Sequence, residues 1–226
     1  MFNVVRSRNC LYILRPATRT ALQVRHSSTF TIWNPPKHAP REVPTPLVLC
    51  SASHWDLGTR NNLIPQSFAS MLAEKGHTCI QVDFGPPGEN EKCSSSQSLV
   101  GHLSEELKVN LRLSGNPFPP VIFARGFASL IAQTYISSHP AQGLFMISPP
   151  LSNASLFPSI LPTPLGEFDY ELKFPVAVMA HPAEMDQLRK YSRLGQNELV
   201  DLIEHDNLEG QDAFMKIEQW LDELGI

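Results

Sequence analysis

Hydroxyl, imidazole and carboxylate side chains at several positions of this chain have the chemistry that acyl transfer needs. Ser53 and His54 are adjacent in a segment that follows an apolar run, and Ser129 offers a second hydroxyl near the start of a predicted helix. A hydroxyl activated by a nearby imidazole is the usual nucleophile of covalent hydrolases. The residues that could supply a supporting acid or base follow two later apolar runs: Glu184, Asp186 and His205. Each of these residue types is also common in solvated loops. Their spacing alone therefore does not decide between a catalytic role and an ordinary surface position.

Metal, phosphate and nucleotide chemistry is poorly represented. The eight histidines are scattered, and no pair at i, i+4 stands beside a glutamate, so no metal site is predicted. The segment Gly85–Gly88 holds two prolines, which lack the N–H donors of a phosphate-binding loop. No spacing typical of a dinucleotide or nucleoside triphosphate site occurs, and we therefore predict no cofactor.

The N-terminal end of the chain is basic, and the rest of the chain is acidic. Seven basic residues and no acidic one precede Glu42, whereas residues 42–226 contain 11 basic and 22 acidic residues. Residues 1–28 mix arginines with apolar, Ser and Thr residues and end in Arg25-His-Ser-Ser28, which is typical of a mitochondrial transit peptide. We predict import into mitochondria, to the matrix. The alternative is a basic arm that binds nucleic acid, but the acidic remainder argues against general nucleic-acid affinity.

The elements that must position these residues follow a regular order. Residues 29–45 form a predicted Pro-rich N-terminal arm with a short edge strand at 29–33, and its prolines are predicted to exclude a central strand or helix. Residues 46–226 form the predicted main domain. Its buried-type apolar runs predict strands at 46–50, 78–82, 121–124, 143–148, 175–180 and 199–203. Helical spacing predicts helices from Pro65, at 97–113, 127–136, 183–194 and 212–224.

Alternating strands and helices predict an α/β fold with a mostly parallel central sheet and helices on both faces. Cys50 and Cys79 lie in the apolar runs and are predicted to be buried, unreactive thiols. The longest purely apolar run is far shorter than the ~20 residues of a membrane-spanning helix, so none is predicted.

From about Pro46 to the C-terminus the chain resembles a small α/β-hydrolase. The segments that carry the resemblance are Pro46–Trp55 (strand and turn), Phe68–Gly76 (first helix), Ile80–Gly88 (strand ending in Asp and a Gly-containing turn), Val121–Gln133 (nucleophile elbow and helix) and Phe174–Met179 (strand before the acid). Residues 151–173 occupy the place of that family's lid, and their length and prolines predict a minimal cap.

The resemblance places the nucleophile elbow at Ala124-Arg125-Gly126-Phe127-Ala128. That family's motif is Gly-x-Ser-x-Gly, with the nucleophile on a strained strand-to-helix turn. Here the nucleophile position is Gly126, which has no side chain. The resemblance therefore implies that the family's covalent route is closed in this chain.

The acid and base positions also depart from the family's pattern. Glu184 or Asp186 could be the acid, although both also suit the first turn of a helix, where the helix dipole favours carboxylates. Asn207 falls at the position of the family's histidine, and His205 comes two residues earlier.

A binding pocket is still implied, because the oxyanion donors of the family are backbone N–H groups. Phe127 and a residue near Ala52 or Ser53 would supply these donors. Arg125 could add a positive charge or could be part of an ion pair, and His54 borders the same turn.

The function that these observations predict is non-catalytic: a mitochondrial binding or interaction subunit with a vestigial hydrolase site. Its partner would be an unidentified mitochondrial protein or a small acidic ligand. The alternative is an active esterase or thioesterase that uses a displaced nucleophile, such as Ser53 or Ser129.

Overall fold

The computed structural model describes residues 28–55, 64–88 and 93–226. The predicted transit peptide therefore lies outside the described residues, apart from Ser28. The described part contains one sheet of seven strands, in the order β1-β3-β2-β4-β5-β6-β7, in which only the edge strand β1 is antiparallel to its neighbour. The strands are β1 (Thr29–Trp33), β2 (Val43–Ser51), β3 (His77–Asp83), β4 (Val121–Arg125), β5 (Gly143–Ile147), β6 (Val176–Ala180) and β7 (Val200–Glu204). The predicted mostly parallel sheet is confirmed.

Within the described residues, five α-helices cover the two faces of this sheet, as predicted. They are α1 (Gln66–Glu74), α2 (Ser96–Leu113), α3 (Ala128–Ile136), α4 (Pro182–Tyr191) and α5 (Gln211–Glu223). Side chains of α2, α3 and α4 belong to one hydrophobic core, and those of α1 and α5 belong to a second. None of the helices in the described ranges is both long and apolar enough to cross a bilayer.

The strands supply both cores because successive side chains point to opposite faces of a sheet. In β4, Ile122 and Ala124 lie in the core beneath α2 and α3, whereas Val121 and Phe123 lie in the core beneath α1 and α5. Every residue of β4 is buried. This two-sided burial explains why the central strands appear in the sequence as continuous apolar runs.

The predicted exclusion of the Pro-rich arm from central strands is wrong at its end. Pro44, from the predicted arm, lies inside β2, as does Pro46 of the predicted strand; β2 pairs with β3 on one side and β4 on the other. The register with β3 is irregular between Val43 and Leu47, and pairing with β4 starts only at Leu47. The prolines therefore occupy a stretch where regular ladder hydrogen bonds are not made, and their missing N–H groups cost little.

Residues 151–173 form the predicted minimal cap. Within them the regular structure is a single short 3-10 turn, Asn153–Leu156. Leu161 and Leu165 are buried in the core below, and the hydroxyl of Thr163 accepts a hydrogen bond from the N–H of Ser96 at 2.9 Å. The segment thus packs onto the domain without adding a layer of helices.

The predicted burial of two cysteines is confirmed. Cys50 and Cys79 are fully buried. Burial disfavours the thiolate, and it raises the pKa of both thiols, that of Cys79 to about 12. Neither thiol is therefore a nucleophile at neutral pH.

Candidate functional site

The turn between β4 and α3 has the geometry of a strand-to-helix elbow. Gly126 has a φ of 56°, and α3 begins two residues later, at Ala128. The Gly126 N–H donates to the carbonyl of Ile147 at 3.1 Å, and the Ser129 N–H donates to the Gly126 carbonyl at 3.1 Å. This left-handed conformation suits glycine, which carries no Cβ. The predicted tight turn at the C-terminal edge of the sheet is confirmed, and its apex carries no side chain.

A cavity of about 530 Å³ opens beside this elbow. It lies at the C-terminal ends of β4, β5, β6 and β7, where parallel α/β sheets usually bind ligands. Five of the predicted site residues line it: Arg125, Gly126, Phe127, Glu184 and Asn207. The other described residues in its lining are Ser148, Pro150, Ser155, Leu156, His181, Asp206, Leu208 and Glu209. The remaining predicted site residues are not among the described residues that line it: Ala52, Ser53, His54, Asp186 and His205.

Arg125 forms an ion pair inside the cavity wall. Its guanidinium Nη2 lies 3.0 Å from Oε1 of Glu209, and its side chain is only 8% exposed. The ion-pair interpretation of Arg125 is thus the one that the structure favours. Because its charge is balanced by Glu209, the positive charge expected to attract an acidic ligand is largely neutralised.

The two hydroxyls that the sequence offered as displaced nucleophiles are engaged elsewhere. The Ser53 hydroxyl donates to Oδ2 of Asp83 at 2.6 Å, and the Ser53 N–H donates to Oδ1 of the same carboxylate at 2.9 Å. Ser53 N–H is therefore not an open oxyanion donor, which corrects the role suggested by the resemblance. Ser129 is fully buried in α3, with its hydroxyl 3.4 Å from the Ala124 carbonyl.

His205 and Asp186, which the sequence offered as a possible base and acid, have described contacts within their own segments. Nδ1 of His205 accepts a hydrogen bond from the Asn207 N–H at 3.0 Å, so this imidazole braces its own loop. Asn207 accepts from the Glu209 N–H at 3.1 Å through its side-chain oxygen. The Asp186 carboxylate lies on the surface of α4, 3.9 Å from Nη1 of Arg189. An amide at the base position of the family cannot take a proton from a nucleophile near neutral pH.

A row of rings approaches the elbow from the β2 side. The rings of His54 and Trp55 meet edge to face with centroids 5.6 Å apart, and the Trp55 ring lies 5.1 Å from that of Phe127. Phe127 is buried. His54 and Trp55 thus support the wall that Phe127 presents to the cavity.

The sequence analysis missed two hydroxyls in the described lining, those of Ser148 and Ser155, and Ser148 is the one that contacts a carboxylate. Ser148 follows β5 directly, and its Oγ donates to Oε2 of Glu184 at 2.8 Å. Its φ is 43°, and no other non-glycine residue in the described ranges has a positive φ. A usable signal existed: Ser148 ends a predicted parallel strand, and the carboxyl ends of such strands converge on one edge of the sheet.

The described residues contain no group of three or more His, Cys, Asp or Glu side chains placed to hold a metal ion. Two of the three carboxylates in the described lining have protein partners: Glu209 pairs with Arg125, and Glu184 accepts from Ser148.

Comparisons with known proteins show a similarity to solved structures at the level of the fold. No family model and no curated protein matches the sequence. Among solved structures, the chain is similar to a lidless α/β serine hydrolase from Xanthomonas campestris (14% identity, 87% of each chain covered, TM-score 0.54). It is also similar to esterase 2 from Thermogutta terrifontis, phosphoramylated by tabun (13% identity, 88% of this chain and 90% of that chain covered, TM-score 0.59). A third similar structure is a monoacylglycerol lipase from Paleococcus ferrophilus (13% identity, 87% and 99% covered, TM-score 0.53).

These similarities confirm the fold predicted from the sequence. The chain has the α/β-hydrolase fold with little or no cap, and its distant structural neighbours are serine hydrolases and esterases. At this level of identity the likeness concerns the fold, so the chemistry of this chain has to be argued from its own side chains.

Proposed function

We propose that this protein acts mainly by binding a small molecule in the cavity beside Gly126, and that it performs no acyl transfer at the elbow. The observation that carries the proposal is the elbow itself. Gly126 stands at its apex with a φ of 56° and no side chain. An acyl-enzyme needs a nucleophile at that point, within reach of a base. Asn207 at the family's base position supports the same conclusion.

The charge of the lining favours a cationic ligand over the acidic ligand that the sequence suggested. Apart from His181, the described lining contains one guanidinium, that of Arg125, and three carboxylates, those of Glu184, Asp206 and Glu209, for a formal charge of −2. Arg125 and Glu209 neutralise each other. The carboxylates of Glu184 and Asp206 then dominate the potential, while Phe127, Leu156 and Leu208 supply apolar surface.

Binding of two aromatic probes of opposite charge tests this proposal. We expect benzylamine to bind about fivefold or more tightly than benzoate, because one favourable charge interaction at ~4 Å in water is worth about 1 kcal/mol. Titration followed by ligand-observed NMR gives both affinities. Ser155→Trp, which fills the cavity rim, should abolish binding, and the matched variant Ser159→Trp, outside the lining, should not. Equal binding of the two probes, or binding unchanged in Ser155→Trp, would contradict the proposal.

We propose further that the protein works in the mitochondrial matrix after loss of residues 1–28, together with a mitochondrial protein that its sequence does not identify. The acid-free, arginine-containing segment ending at Ser28 supports this location. N-terminal sequencing of the protein from isolated mitochondria should find a new terminus near residue 28. A bulk population that still begins at Met1 would refute the processing step.

A second function, ester or thioester hydrolysis with a displaced nucleophile, is favoured by one specific observation. The hydroxyl of Ser148 is hydrogen-bonded to the carboxylate of Glu184 inside the same cavity. Neither Ser53 nor Ser129 combines a hydroxyl and a base in this way at the cavity. Of the two serine hydroxyls in the described lining, that of Ser148 donates to a carboxylate, whereas that of Ser155 donates to the Ser152 carbonyl.

A further inference from the structure

The backbone at Ser148 is held in a conformation that serine rarely adopts. Ser148 follows the last residue of β5 with a φ of 43°, and its N–H donates to the carbonyl of Met179 in the neighbouring β6 at 2.8 Å. Left-handed conformations at residues other than glycine are strained and cluster at functional sites. The strand ends thus fix a hydroxyl at the C-terminal edge of the sheet, one strand away from the empty elbow.

The Ser148 hydroxyl already donates to a group that can take its proton. Its Oγ lies 2.8 Å from Oε2 of Glu184, in the first turn of α4. The accepting atom of a general base must lie within about 2.6–3.2 Å of the heavy atom that carries the proton. The pair meets that requirement without any rearrangement, and Glu184 is solvent-exposed, so a substrate and water can reach it.

Ser148 and Glu184 lie where two cavities meet. Both residues line the cavity of about 530 Å³ beside the elbow, and both also line a second cavity of about 390 Å³. The second cavity is bordered otherwise by Pro149, Leu151, Ala183, Gln187 and Leu188, which present no charge. A molecule attacked at its centre by Ser148 would therefore have one apolar arm in the smaller cavity and one arm beside the carboxylates of the larger cavity.

A developing oxyanion needs N–H donors, and the start of α4, which carries Glu184, is an element beside Ser148 with such donors. No described side chain caps this helix, whose first residue is Pro182. The N–H groups of Ala183 and Glu184 are therefore among the helix-terminal donors that have no acceptor within the helix. Pro149, which follows Ser148, has no N–H, so the donor that an elbow takes from the residue after its nucleophile is missing here. This loss predicts slow chemistry.

We propose that Ser148 is a nucleophile and Glu184 its general base, and that the pair acts on carboxylic esters or thioesters with an apolar acyl arm and a cationic leaving arm. The inference rests on the second function proposed above and assigns its residues and its substrate class. The acyl arm occupies the smaller cavity, against the uncharged residues that border it beyond Ser148 and Glu184. The cationic arm lies beside Glu184 and Asp206 in the larger one.

The proton and bond changes are balanced within this pair. Oγ of Ser148 attacks the carbonyl carbon while its proton passes to the Glu184 carboxylate. The bond from that carbon to the leaving oxygen or sulfur then breaks, and the leaving group takes the proton from Glu184. Water attacks the resulting acyl-Ser148 ester, giving its proton to Glu184, which returns it to the departing Ser148 oxygen. The sum is ester and water converted to carboxylic acid and alcohol or thiol.

Labelling with a fluorophosphonate probe tests the nucleophile directly. We expect slow, stoichiometric labelling, with the adduct mapped to Ser148 by peptide mass spectrometry and lost in Ser148→Ala. Glu184→Gln keeps a hydrogen-bond acceptor but cannot take the proton, so the labelling rate should fall by about tenfold or more. Ser53→Ala and Ser129→Ala are the controls, and both should label at the wild-type rate.

Turnover of two thioesters tests the substrate class. S-butyrylthiocholine and S-butyryl mercaptopropionate carry the same acyl group and release thiols of opposite charge, so one thiol assay follows both. We expect the cationic thioester to be hydrolysed at least about fivefold faster in kcat/KM. An equal or reversed preference would overturn the substrate class.

The remaining outcomes separate this inference from the functions on which it rests. Hydrolysis or labelling that persists in Ser148→Ala would overturn the assignment of Ser148 and leave a hydrolase with another nucleophile. No labelling and no hydrolysis, with benzylamine still bound, would overturn both this inference and the hydrolase function and leave the binding function. Circular dichroism of each variant shows whether it is folded. If Ser148→Ala does not fold, the more conservative variant Glu184→Gln still tests the pair.

Discussion

Replacing Trp220 by alanine is expected to destabilise the protein by about 3–5 kcal/mol, the range observed for large aromatic residues removed from a core. Trp220 is 3% exposed. Its ring meets those of Phe123 and Phe145 in the sheet, with centroids 6.4 Å and 5.2 Å away. Its Nε1–H donates to Oδ2 of Asp201 in β7 at 3.0 Å. One side chain therefore attaches α5 to three strands.

Urea unfolding followed by circular dichroism measures this loss. Trp220→Phe should cost clearly less than Trp220→Ala, because it keeps an aromatic ring against Phe123 and Phe145 and gives up mainly the hydrogen bond. Met215→Ala on the same helix is the matched control. Met215 is 56% exposed, and its replacement should change stability by no more than about 0.5 kcal/mol. A loss below about 1.5 kcal/mol in Trp220→Ala would show that α5 is held by other contacts.

This packing also bears on the site. The loop between β7 and α5 contains Asp206, Asn207 and Glu209, all of which line the cavity beside the elbow. The loop is fixed at one end by the pairing of β7 with β6 and at the other by the attachment of α5. Weakening the attachment should therefore weaken the Arg125–Glu209 ion pair as well.

The fold could be predicted from local sequence signals because each element carried its own pattern. The helix Ser96–Leu113 followed from a leucine every four residues, and Gly76 and Gly115, which end two helices, both have positive φ. The misread element was β2. Its prolines are tolerated because of a register irregularity with β3, and an irregularity in pairing between distant segments leaves no mark in the local sequence.

The sequence predicted some of the site residues that lie directly at the end of a strand. Gly126 and Arg125 could be placed because a strand and a helix meet there with almost no linker. The partners of these residues could not be placed, since Arg125 and Glu209 are 84 residues apart and meet only through the tertiary fold. Ser148 could have been placed at a strand end, but its positive φ and its contact with Glu184 could not be predicted, since neither has a local sequence pattern.

His77 is expected to make the protein sensitive to acid. This histidine, at the start of β3, is 2% exposed, and its Nδ1 has no hydrogen-bond partner among the described residues. Burial and then the nearby positive charge of Arg41 lower the pKa of His77 from 6.5 to about 4; Asp222 opposes this shift, and Lys75 adds to it to a lesser extent. The folded protein therefore holds this imidazole neutral over a pH range in which the unfolded chain protonates it.

The sign of the effect follows from proton linkage. Between the unfolded pKa of 6.5 and the folded pKa of about 4, the unfolded state binds more protons at His77, so stability falls as the pH falls through this window. Between about pH 7.5 and about pH 5, this histidine alone should remove about 2 kcal/mol from the free energy of unfolding. Over the whole window the loss approaches about 3 kcal/mol.

Urea unfolding at the two pH values measures this loss of stability. Two variants separate the contribution of His77 from those of the other titrating groups. His77→Asn removes the titrating group, so its stability should fall by about 2 kcal/mol less than that of the wild type over the same pH change. His38→Asn replaces an exposed histidine and should keep the wild-type dependence. If His77→Asn lost as much stability as the wild type between the two pH values, the buried imidazole would not be the source of the acid sensitivity. The carboxylates of the surface ion pairs would then have to account for it.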